Sequence, residues 1–548
     1  MKLRHVTASN YSRLADYSIE VRDHLVVVGA NDVGKTSILR LLNFLLGAST
    51  AQLYQGLSIE DLRDRAVTLV ATATFHGFSD EERALFFREI DIDPIDKVEK
   101  LVVRLEVSTD PDDEESVTIS RWCPGRGEIR PLSREQIVNI GWRYLPASRA
   151  ASSSQLDGPN GAVQVLLKAV ESELGAEKST LGDILGAFNE KLEVNTALIK
   201  LRTDMANHLS NSMPHEMNPE NLSIRTSAAP TDSVLENVSM YIARDGAFIP
   251  LADQSDGLRQ LVSMTLFDLA EGAANVIAID EPELHLHPLS QRTVANLLTQ
   301  RVNQKIIVTH SPYIVERFDP IQVVAVSPDG SCHQINPSRF TIEEKTQAHW
   351  WSPRMLEALT ARFAILVEGV ADRLIVEAVA RTQGISLDRL GAVVFELGGA
   401  DNFPTVYKLL GPDGFGVRVL GLVDEAESAR WVGSVGGKPK NVIGQSVFIS
   451  KVDLEDEYCR ALGAPAVVKA LVDSGVAQEA GLLSSSGASR VEEIGTSQLA
   501  KFCRSSSKSI NRKVPSALAI AKSLTGETAL RIQSVTDLLN RLLELSSK

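Results

Sequence analysis

The chain has 548 residues, of which 44% are hydrophobic, and its 70 acidic and 56 basic residues give a formal net charge of −14. This length predicts about three to four domains, and the net acidity argues against a protein coated with phosphate-binding surface. The four cysteines lie far apart without a Cys-x-x-Cys pair, which argues against zinc and disulfide frameworks and indicates a reducing compartment. No apolar run approaches the ~20 residues of a membrane-spanning helix and no signal peptide is recognisable, so a cytoplasmic location without membrane contact is expected.

Residues 1 to about 150 alternate short β-type runs with turns, which predicts a strand-rich first lobe. The acidic TDPDDEE stretch joins EKLVVRLEV to SVTISRW and predicts a hairpin connection. Helical patterning from about 160 to 215 predicts a helical insertion, after which strand signals return at VSMYIARDGAFIPL, NVIAID and KIIVTH. Beyond about Arg354, strands and helices alternate, as in an α/β domain with parallel strands.

A phosphate-loop motif occupies Gly29 to Thr36, GANDVGKT, between the strand pattern HLVVV and the helix pattern SILRLLNFLL. In this motif, backbone N–H groups face phosphate oxygens, Lys35 reaches the β and γ phosphates, and the Thr36 hydroxyl ligates Mg²⁺. The strand before and the helix after supply the context that separates it from a chance glycine loop. The residues assigned here to nucleotide binding are Asn31, Gly34, Lys35, Thr36 and Ser37.

Two later strand ends complete the nucleotide site. NVIAIDEPELHLHP carries Asp280 at the end of a buried strand pattern, where its carboxylate can join the Mg²⁺ shell, and Glu281 follows as a candidate base for the attacking water. About thirty residues later, KIIVTHSP ends at His310, a candidate contact of the γ-phosphate. A lone histidine at a strand end is usually an ordinary polar residue, but the order of three such elements favours function.

Acidic residues also follow three apolar strand patterns in the last third of the chain. RFAILVEGVADR places Glu368 at a strand end and Asp372 four residues later, VRVLGLVDEAES ends at Asp424, and VFISKVDLEDE presents Asp453 and Glu455. Carboxylate oxygens at the carboxyl edge of one sheet suit a hard divalent cation. A single acid of this kind is more often a solvated strand end or a helix cap, and Glu457 is assigned to that class. The group together predicts a metal site.

The nucleotide-site residues resemble the ATPase heads of the ABC superfamily, in the branch shared with SMC-like and RecF-like DNA-repair proteins. The resemblance implies that Glu281 is the catalytic glutamate and His310 the switch histidine. It also implies a signature motif presented to the ATP of a second head, and hence a homodimer or higher homo-oligomer. The candidate signature is Gln254 to Gln260, with Ser255 and Gly257 as nucleotide contacts and aspartate at 256 where glycine is usual.

The acidic pattern resembles a TOPRIM domain, and the whole chain resembles the OLD (overcoming lysogenization defect) nucleases. Glu368 matches the first-strand glutamate, Asp424 the first aspartate of the usual Asp-x-Asp, and Lys513 the late catalytic lysine of that family. Ala426 stands where the second aspartate is usual. On an extended strand, Ala426 would share the face of Asp424 and Glu425 would point away. If the chain turns helical instead, Glu427 returns to the side of Asp424 and is the predicted replacement ligand.

The resemblance implies an α/β chain in which an ABC-type ATPase head with a helical dimerisation insert precedes a TOPRIM domain. The expected ranges are 1–155 and 226–353 for the head, 156–225 for the insert and 354–548 for TOPRIM. The implied function is an ATP-dependent or ATP-regulated DNA endonuclease that uses ATP and Mg²⁺, with Mn²⁺ possible in the nuclease site, in antiphage defence or DNA processing. A helicase or reverse transcriptase encoded nearby is an implied partner.

Phosphodiester cleavage needs an activated water and neutralised charge, which two metals about 3.5 to 4 Å apart can provide. The sequence assigns one metal to Glu368, Asp372 and Asp424, the other to Asp453 and Glu455, and transition-state stabilisation to Lys513. The rival hypothesis is a DNA clamp or recombination mediator without nuclease activity. The missing aspartate keeps this rival open, whereas Glu368, Asp424 and Lys513 favour the enzyme. A topoisomerase or primase is disfavoured because no tyrosine cleavage module or polymerising domain is recognisable.

Overall fold

A parallel β-sheet lies in each of the two units of the chain, residues 1–332 and 333–548. The structure, a computed structural model, describes residues 1–93, 95, 97–110, 116–125, 129–147, 192, 194–211, 217–226, 238–244, 246–270, 274–300, 303–341, 353–505 and 511–547. The expected α/β class is confirmed. None of the helices in these ranges is long and apolar enough to cross a membrane.

The first unit combines an antiparallel and a parallel sheet. Its strands are β1 Lys2–Ser9, β2 Tyr17–Glu20, β3 His24–Gly29, β4 Leu69–His76, β5 Ile90–Ile92, β6 Glu99–Thr109, β7 Val117–Cys123, β8 Arg130–Pro131, β9 Trp142–Leu145, β10 Leu222–Thr226, β11 Val238–Arg244, β12 Ala247–Pro250, β13 Val276–Asp280, β14 Gln304–Val308 and β15 Val323–Val326. Its α-helices are Lys35–Leu46, Thr50–Gly56, Asp80–Leu85, Arg134–Asn139, Thr196–Ser210, Asp256–Ala270, Pro288–Gln300 and Pro312–Val315. The strand β16, Cys332–Gln334, begins at the last residue of this unit.

The parallel sheet of the first unit brings the predicted nucleotide residues to one edge. Its strands run β15-β3-β14-β13-β9, and each neighbouring pair is parallel. The phosphate loop follows β3, Asp280 ends β13 and His310 follows β14, so all three lie at the carboxyl edge. This strand order explains why Thr36 and Asp280, 244 positions apart in the sequence, meet in one site.

The antiparallel sheet is ordered β2-β1-β4-β6-β7-β8, with β5 also paired to β6. The helix Lys35–Leu46 contacts strands of both sheets and buries an apolar face that includes Ile38, Leu42 and Leu45. The predicted hairpin is confirmed by the pairing of β6 with β7 up to Thr109 and Val117, although most of its acidic connection lies outside the described residues. A smaller antiparallel sheet is ordered β10-β11-β12.

The predicted linker near residue 150 and the helical patterns between 160 and 191 lie outside the described residues. Of the range 156–225, the structure describes the helix Thr196–Ser210 and the strand β10 among its elements. The helix begins at the cap Asn195, whose side chain accepts a hydrogen bond of 3.0 Å from the Ala197 N–H. The assignment of this range to dimerisation stays a prediction.

The second unit is built on a parallel sheet ordered β18-β17-β19-β20. These strands are β17 Phe363–Val367, β18 Ala392–Glu396, β19 Arg418–Asp424 and β20 Val447–Ser450. The α-helices are Pro353–Thr360, Val370–Thr382, Phe403–Leu410, Ser428–Val435, Pro439–Val442, Leu454–Leu462, Ala464–Asp473, Glu479–Ser486, Thr496–Arg504, Lys513–Ser523, Gly526–Leu530 and Gln533–Ser546.

Two helix–helix contacts position the candidate site residues of the second unit. Lys513–Ser523, here called the lysine helix, packs on Val370–Thr382, while Leu454–Leu462, here called the acidic helix, packs on Thr496–Arg504. Their shared core includes Val376, Tyr458 and Ile520. Lys513 and Glu455 therefore reach the edge of the sheet where Glu368 follows β17 and Asp424 ends β19.

Candidate active sites

The phosphate loop has the backbone that its sequence predicts. Gly34 caps the following helix with a φ of 100°, a left-handed conformation that residues with a Cβ rarely adopt. Lys35 is only 5% exposed, and its Nζ donates a 2.5 Å hydrogen bond to the Ala30 carbonyl. Burial lowers the pKa of Lys35, while neighbouring carboxylates oppose this effect. The ammonium group is thus held at the loop.

Thr36 and Asp280 meet as a Mg²⁺ site requires. The Thr36 hydroxyl donates to Asp280 Oδ1 at 3.3 Å, and Asp280 is 2% exposed. Burial raises the pKa of Asp280 to about 6, and the nearby Glu281 carboxylate adds to this shift. A hydroxyl and a carboxylate are oxygen ligands of the kind that Mg²⁺ prefers. The two residues fit the ion that a nucleotide would bring.

Glu281 and His310 lie beside this pair. Glu281 has a φ of 46° and donates its backbone N–H to the Val308 carbonyl at 2.8 Å, which fixes the turn after β13 to the end of β14. Its Oε1 lies 3.7 Å from His310 Nε2. Burial lowers the pKa of His310, and the Lys35 charge lowers it further. A neutral imidazole is therefore favoured next to the candidate base.

Glu283 is a site residue that the sequence analysis missed. Its carboxylate accepts hydrogen bonds from the His310 backbone N–H and, at 2.8 Å, from the Thr309 hydroxyl. Burial raises the pKa of Glu283 to about 7. The available signal was the second glutamate of the DEPE run, too close to the strand end to be assigned to solvent.

The signature segment forms the start of a long helix. The Ser255 carbonyl accepts from the Arg259 N–H at 2.9 Å, so the exposed Ser255 stands at the N-terminus of Asp256–Ala270. A Cβ on Gly257 would lie 2.8 Å from the His285 carbonyl oxygen, so the close packing of this helix requires glycine there. Helix N-termini favour phosphate. Contact of Ser255 and Gly257 with nucleotide stays a prediction.

Four carboxylates surround Lys513 in the second unit. Lys513 Nζ lies 3.5 Å from Glu455 Oε1. Although burial lowers the pKa of Lys513, the surrounding negative charges raise it above its ordinary value. The side chains that exert this effect are Asp372, Glu455, Glu368 and Asp424. The structure thus brings together residues from four separate segments of the sequence.

The carboxylates also repel one another. Burial raises the pKa of Asp372 to about 6 and that of Asp424 to about 7, and Glu455 adds to both shifts. Burial likewise raises the pKa of Glu455, which is 2% exposed. Backbone contacts fix two of them, because Asp372 Oδ2 accepts from Gly369 N at 2.9 Å and Asp424 Oδ1 from Leu454 N at 3.1 Å.

This donor set has the chemistry that a divalent cation requires, since only oxygen ligands are present and their shared negative charge exceeds that of the single lysine. In the described ranges, no group of three or more His, Cys, Asp or Glu side chains already stands in positions to hold a metal ion. Closing around a cation therefore requires side-chain movement. The residues placed to make this movement are Glu368, Asp372, Asp424 and Glu455.

Asp453 has two other partners. Its side chain accepts from Asp456 N at 2.8 Å, which caps the acidic helix, and its Oδ2 pairs with Arg504. The aspartate at position 453 and the acid three residues later form a helix-start pattern. Asp453 reaches a metal only if Arg504 releases it, so its predicted role as a ligand stays a proposal.

Glu427 and Glu457 differ from the other acids. The chain forms a 3₁₀ turn over Glu425–Glu427 directly after Asp424, so the helical alternative is the one observed. Among the described residues, no hydrogen bond or ion pair joins Glu427 to Lys513. Glu457 was assigned to solvent or a helix cap, and the solvent assignment is wrong: it is 8% exposed and accepts a 2.6 Å hydrogen bond from the Ser534 hydroxyl.

Comparisons with known proteins give the same two parts. Residues 25–316 match the AAA domain family model, whose description also names the AbiEii toxin and the Type IV TA system. Residues 359–425 match the "Overcoming lysogenization defect protein-like, TOPRIM domain". The chain is also similar to endonuclease GajA of Bacillus cereus (strain VD045), at 20% identity over 439 residues, covering 73% of this chain and 71% of that protein.

Two solved structures superpose on parts of the chain with low TM-scores. An SMC head domain of Pyrococcus furiosus with bound ScpA domain superposes with a TM-score of 0.40 at 15% identity, covering 63% of this chain and 98% of its own. The C-terminal region of the Burkholderia pseudomallei OLD protein superposes with a TM-score of 0.28 at 21% identity, covering 34% of this chain and 98% of its own.

Proposed function

We propose that this chain, which belongs to the OLD family and joins an AAA ATPase domain to an OLD-like TOPRIM domain, is an ATPase-linked DNA endonuclease that depends on divalent metal. The observation that carries the nuclease activity is the cluster of Glu368, Asp372, Asp424 and Glu455 around Lys513. These groups lie at the carboxyl edge of a parallel sheet, which is where α/β sheets bind their ligands.

In the nuclease site, bound divalent metal would supply an activated water and charge neutralisation at the phosphate. Glu368, Asp372, Asp424 and Glu455 would hold the metal, and we propose Mg²⁺ or Mn²⁺. Lys513 keeps its proton because the carboxylates raise its pKa, so it can face a phosphate oxygen as a cation. Asp453 and Glu427 are proposed as further ligands, Asp453 after release from Arg504.

In the ATPase site, Lys35 would bind the phosphates of ATP, and Thr36 and Asp280 would hold Mg²⁺. Asn31, Gly34 and Ser37 are proposed to add loop contacts to the phosphates. Glu281 orients the attacking water and His310 contacts the γ-phosphate, and their spacing of 3.7 Å supports this division of roles. Ser255 and Gly257 of a second copy are proposed to cover the nucleotide, which makes the working form a homodimer or higher homo-oligomer.

The test incubates the purified protein with supercoiled plasmid and with linear DNA under Mg²⁺ or Mn²⁺, each with and without ATP. Nicking or linearisation that disappears with a metal chelator is expected. DNA binding without cleavage in every arm, at protein concentrations that turn over ATP, would favour the clamp hypothesis. The ATP arms report whether nucleotide activates or restrains the nuclease.

The family resemblance supports a role in antiphage defence or DNA processing, with a helicase or reverse transcriptase as a candidate partner. We place the protein in the cytoplasm, where its four free cysteines stay reduced. Phage challenge of cells that express the wild type, Lys35→Ala or Glu368→Ala tests the defence role. Equal plaque counts for all three would contradict it.

A further inference from the structure

Two consecutive acids hold the turn that joins β20 to the acidic helix. Asp424 Oδ1 accepts from Leu454 N at 3.1 Å, and Glu425 Oε2 accepts from Val452 N at 3.0 Å. Asp453 lies between these two amides. The two acids at the end of β19 therefore fix the backbone on both sides of Asp453. Glu455, two residues further along the chain, lies close to Lys513.

The turn that Glu425 holds is unfavourable by itself. Val452 has a φ of 70°, in the left-handed region that β-branched residues avoid. Its side chain gains little from packing, because it is 49% exposed. A residue in such a conformation persists only when neighbouring contacts impose it. The hydrogen bond from Val452 N to the Glu425 carboxylate is a contact of this kind.

We propose that Glu425 is a positioning residue of the nuclease site, which holds Val452 in its left-handed conformation and so presents Asp453 and Glu455 to the metal-binding cluster. This inference rests on the proposed nuclease function for its catalytic consequence. It assigns Glu425 a task different from that of Glu427, which is proposed as a direct ligand. Glu425 acts through a backbone amide and never needs to touch the metal.

Substitution by glutamine is expected to affect the two roles, positioning and metal ligation, differently. An amide oxygen accepts a hydrogen bond from Val452 N, so Glu425→Gln keeps the contact, whereas Glu425→Ala removes it. A metal ligand needs the carboxylate charge, so Glu427→Gln weakens metal binding if Glu427 is a ligand. The glutamine variants thus separate positioning from ligation at neighbouring positions.

The first measurement needs neither metal nor cleavage. Amide hydrogen exchange of the full chain in metal-free buffer is compared for the wild type, Glu425→Ala, Glu425→Gln and the control Asp388→Ala, which alters an exposed acid before β18. Exchange over residues 451–455 is expected to be about tenfold faster or more in Glu425→Ala alone. Unchanged exchange in Glu425→Ala would overturn the proposal.

The second measurement is Mn²⁺ binding followed by electron paramagnetic resonance. Glu425→Ala is expected to weaken Mn²⁺ binding by about tenfold or more, as substitutions behind metal ligands do, and Glu425→Gln to stay near the wild type. Adding Val452→Gly to Glu425→Ala should return most of the lost affinity, because glycine adopts a positive φ without cost. No recovery in the double variant would show that Glu425 acts otherwise, and would overturn the proposal.

The outcomes also separate this inference from the nuclease function. If the wild type neither binds Mn²⁺ nor cuts DNA, while Glu425→Ala still exchanges faster over residues 451–455, the nuclease function fails and the role of Glu425 in holding the turn stands. If the wild type binds Mn²⁺ and cuts DNA but exchange is unaffected by Glu425→Ala, the reverse holds.

Discussion

The carboxylate of Glu283 accepts a hydrogen bond from the backbone N–H of His310, and through it the turn after β13 is joined to the loop that follows β14. Thr309 donates its hydroxyl to the same carboxylate at 2.8 Å. The histidine predicted to contact γ-phosphate is therefore held by a side chain that need not contact nucleotide itself. The position of His310 therefore depends on the hydrogen bonds of the buried Glu283 carboxylate.

Glu283→Ala is expected to lower the ATPase kcat by about tenfold or more, because the loop that carries His310 loses its anchor. Nucleotide binding by Lys35 should change by much less. Steady-state ATPase kinetics and binding of a fluorescent ATP analogue check the two halves. A variant with a wild-type kcat would show that Glu283 has no part in placing His310.

The raised pKa of Glu283 also predicts that the free energy of unfolding depends on pH. Its pKa is raised from an ordinary 4.5 to about 7, so the folded state disfavours ionisation, and stability falls as the pH rises through this range. At about 1.4 kcal/mol per pKa unit, the loss is at most about 3.5 kcal/mol. Glu283→Gln does not ionise, so its free energy of unfolding relative to the wild type should increase from pH 5 to 7.5. Urea unfolding in nucleotide-free buffer measures it, and a constant difference across this range would contradict the assignment.

The two active sites should be separable. Lys35→Ala is expected to reduce ATP turnover by about a hundredfold or more by removing a phosphate contact, whereas Glu368→Ala should abolish DNA cleavage and leave ATPase activity within about twofold. The matched control is Glu492→Ala, which removes an exposed acid of the same unit. Full cleavage by a well-folded Glu368→Ala protein would remove the TOPRIM site assignment.

Assembly in trans makes a complementation prediction. Ser255→Arg should suppress ATP hydrolysis and preserve nucleotide binding, because Ser255 would face the ATP of a partner while the phosphate loop stays intact. Mixed dimers of Ser255→Arg with Lys35→Ala should regain part of the activity, since one composite site has both wild-type halves. Ser474→Arg, on an exposed serine of the second unit, is the control for an added arginine. Verified mixed dimers without activity would argue for hydrolysis within a single chain.

Lys513 should affect metal binding and cleavage in opposite directions. Lys513→Met is expected to lower the cleavage rate by about 100- to 1000-fold through lost charge stabilisation. It should also tighten Mn²⁺ binding, because the ammonium competes with the metal for Glu455 and its neighbours. Lys522→Met, at the other end of the lysine helix, is the matched control. Weaker Mn²⁺ binding in Lys513→Met would show a structural role instead.

The parts of the fold that could be predicted depend on local signals. A phosphate loop between β3 and its helix is recognisable because glycine, lysine and threonine at fixed spacing have few other uses. The acids at the ends of β17 and β19 could be predicted because a buried apolar strand that ends on a carboxylate is conspicuous, and parallel strands bring such ends together. Lys513 lies 3.5 Å from Glu455 and the charge of Asp372 raises its pKa, while the roles assigned to these residues stay predictions.

The parts that could not be predicted depend on partners distant in sequence or on the exact end of an element. Glu283 gains its role from Thr309 and His310, which only the pairing of β13 with β14 brings near. For Glu425, strand alternation no longer applies, because β19 ends at Asp424 and a 3₁₀ turn begins at the next residue. Arg504 lies on a separate helix, and the sequence gives no sign that it pairs with Asp453.

The strand order of the first unit constrains the order in which the chain can fold during synthesis. The strand β3, His24–Gly29, has as its neighbours β14 and β15, whose residues are made almost three hundred positions later. Gln304 at the start of β14 even bonds Leu3 through both its amide oxygen and its amide nitrogen. On the ribosome, the ATP-binding strand therefore waits with both edges unpaired until β14 and β15 emerge. Such long waits expose nascent chains to misassembly, so we expect the parallel sheet of the first unit to fold slowly.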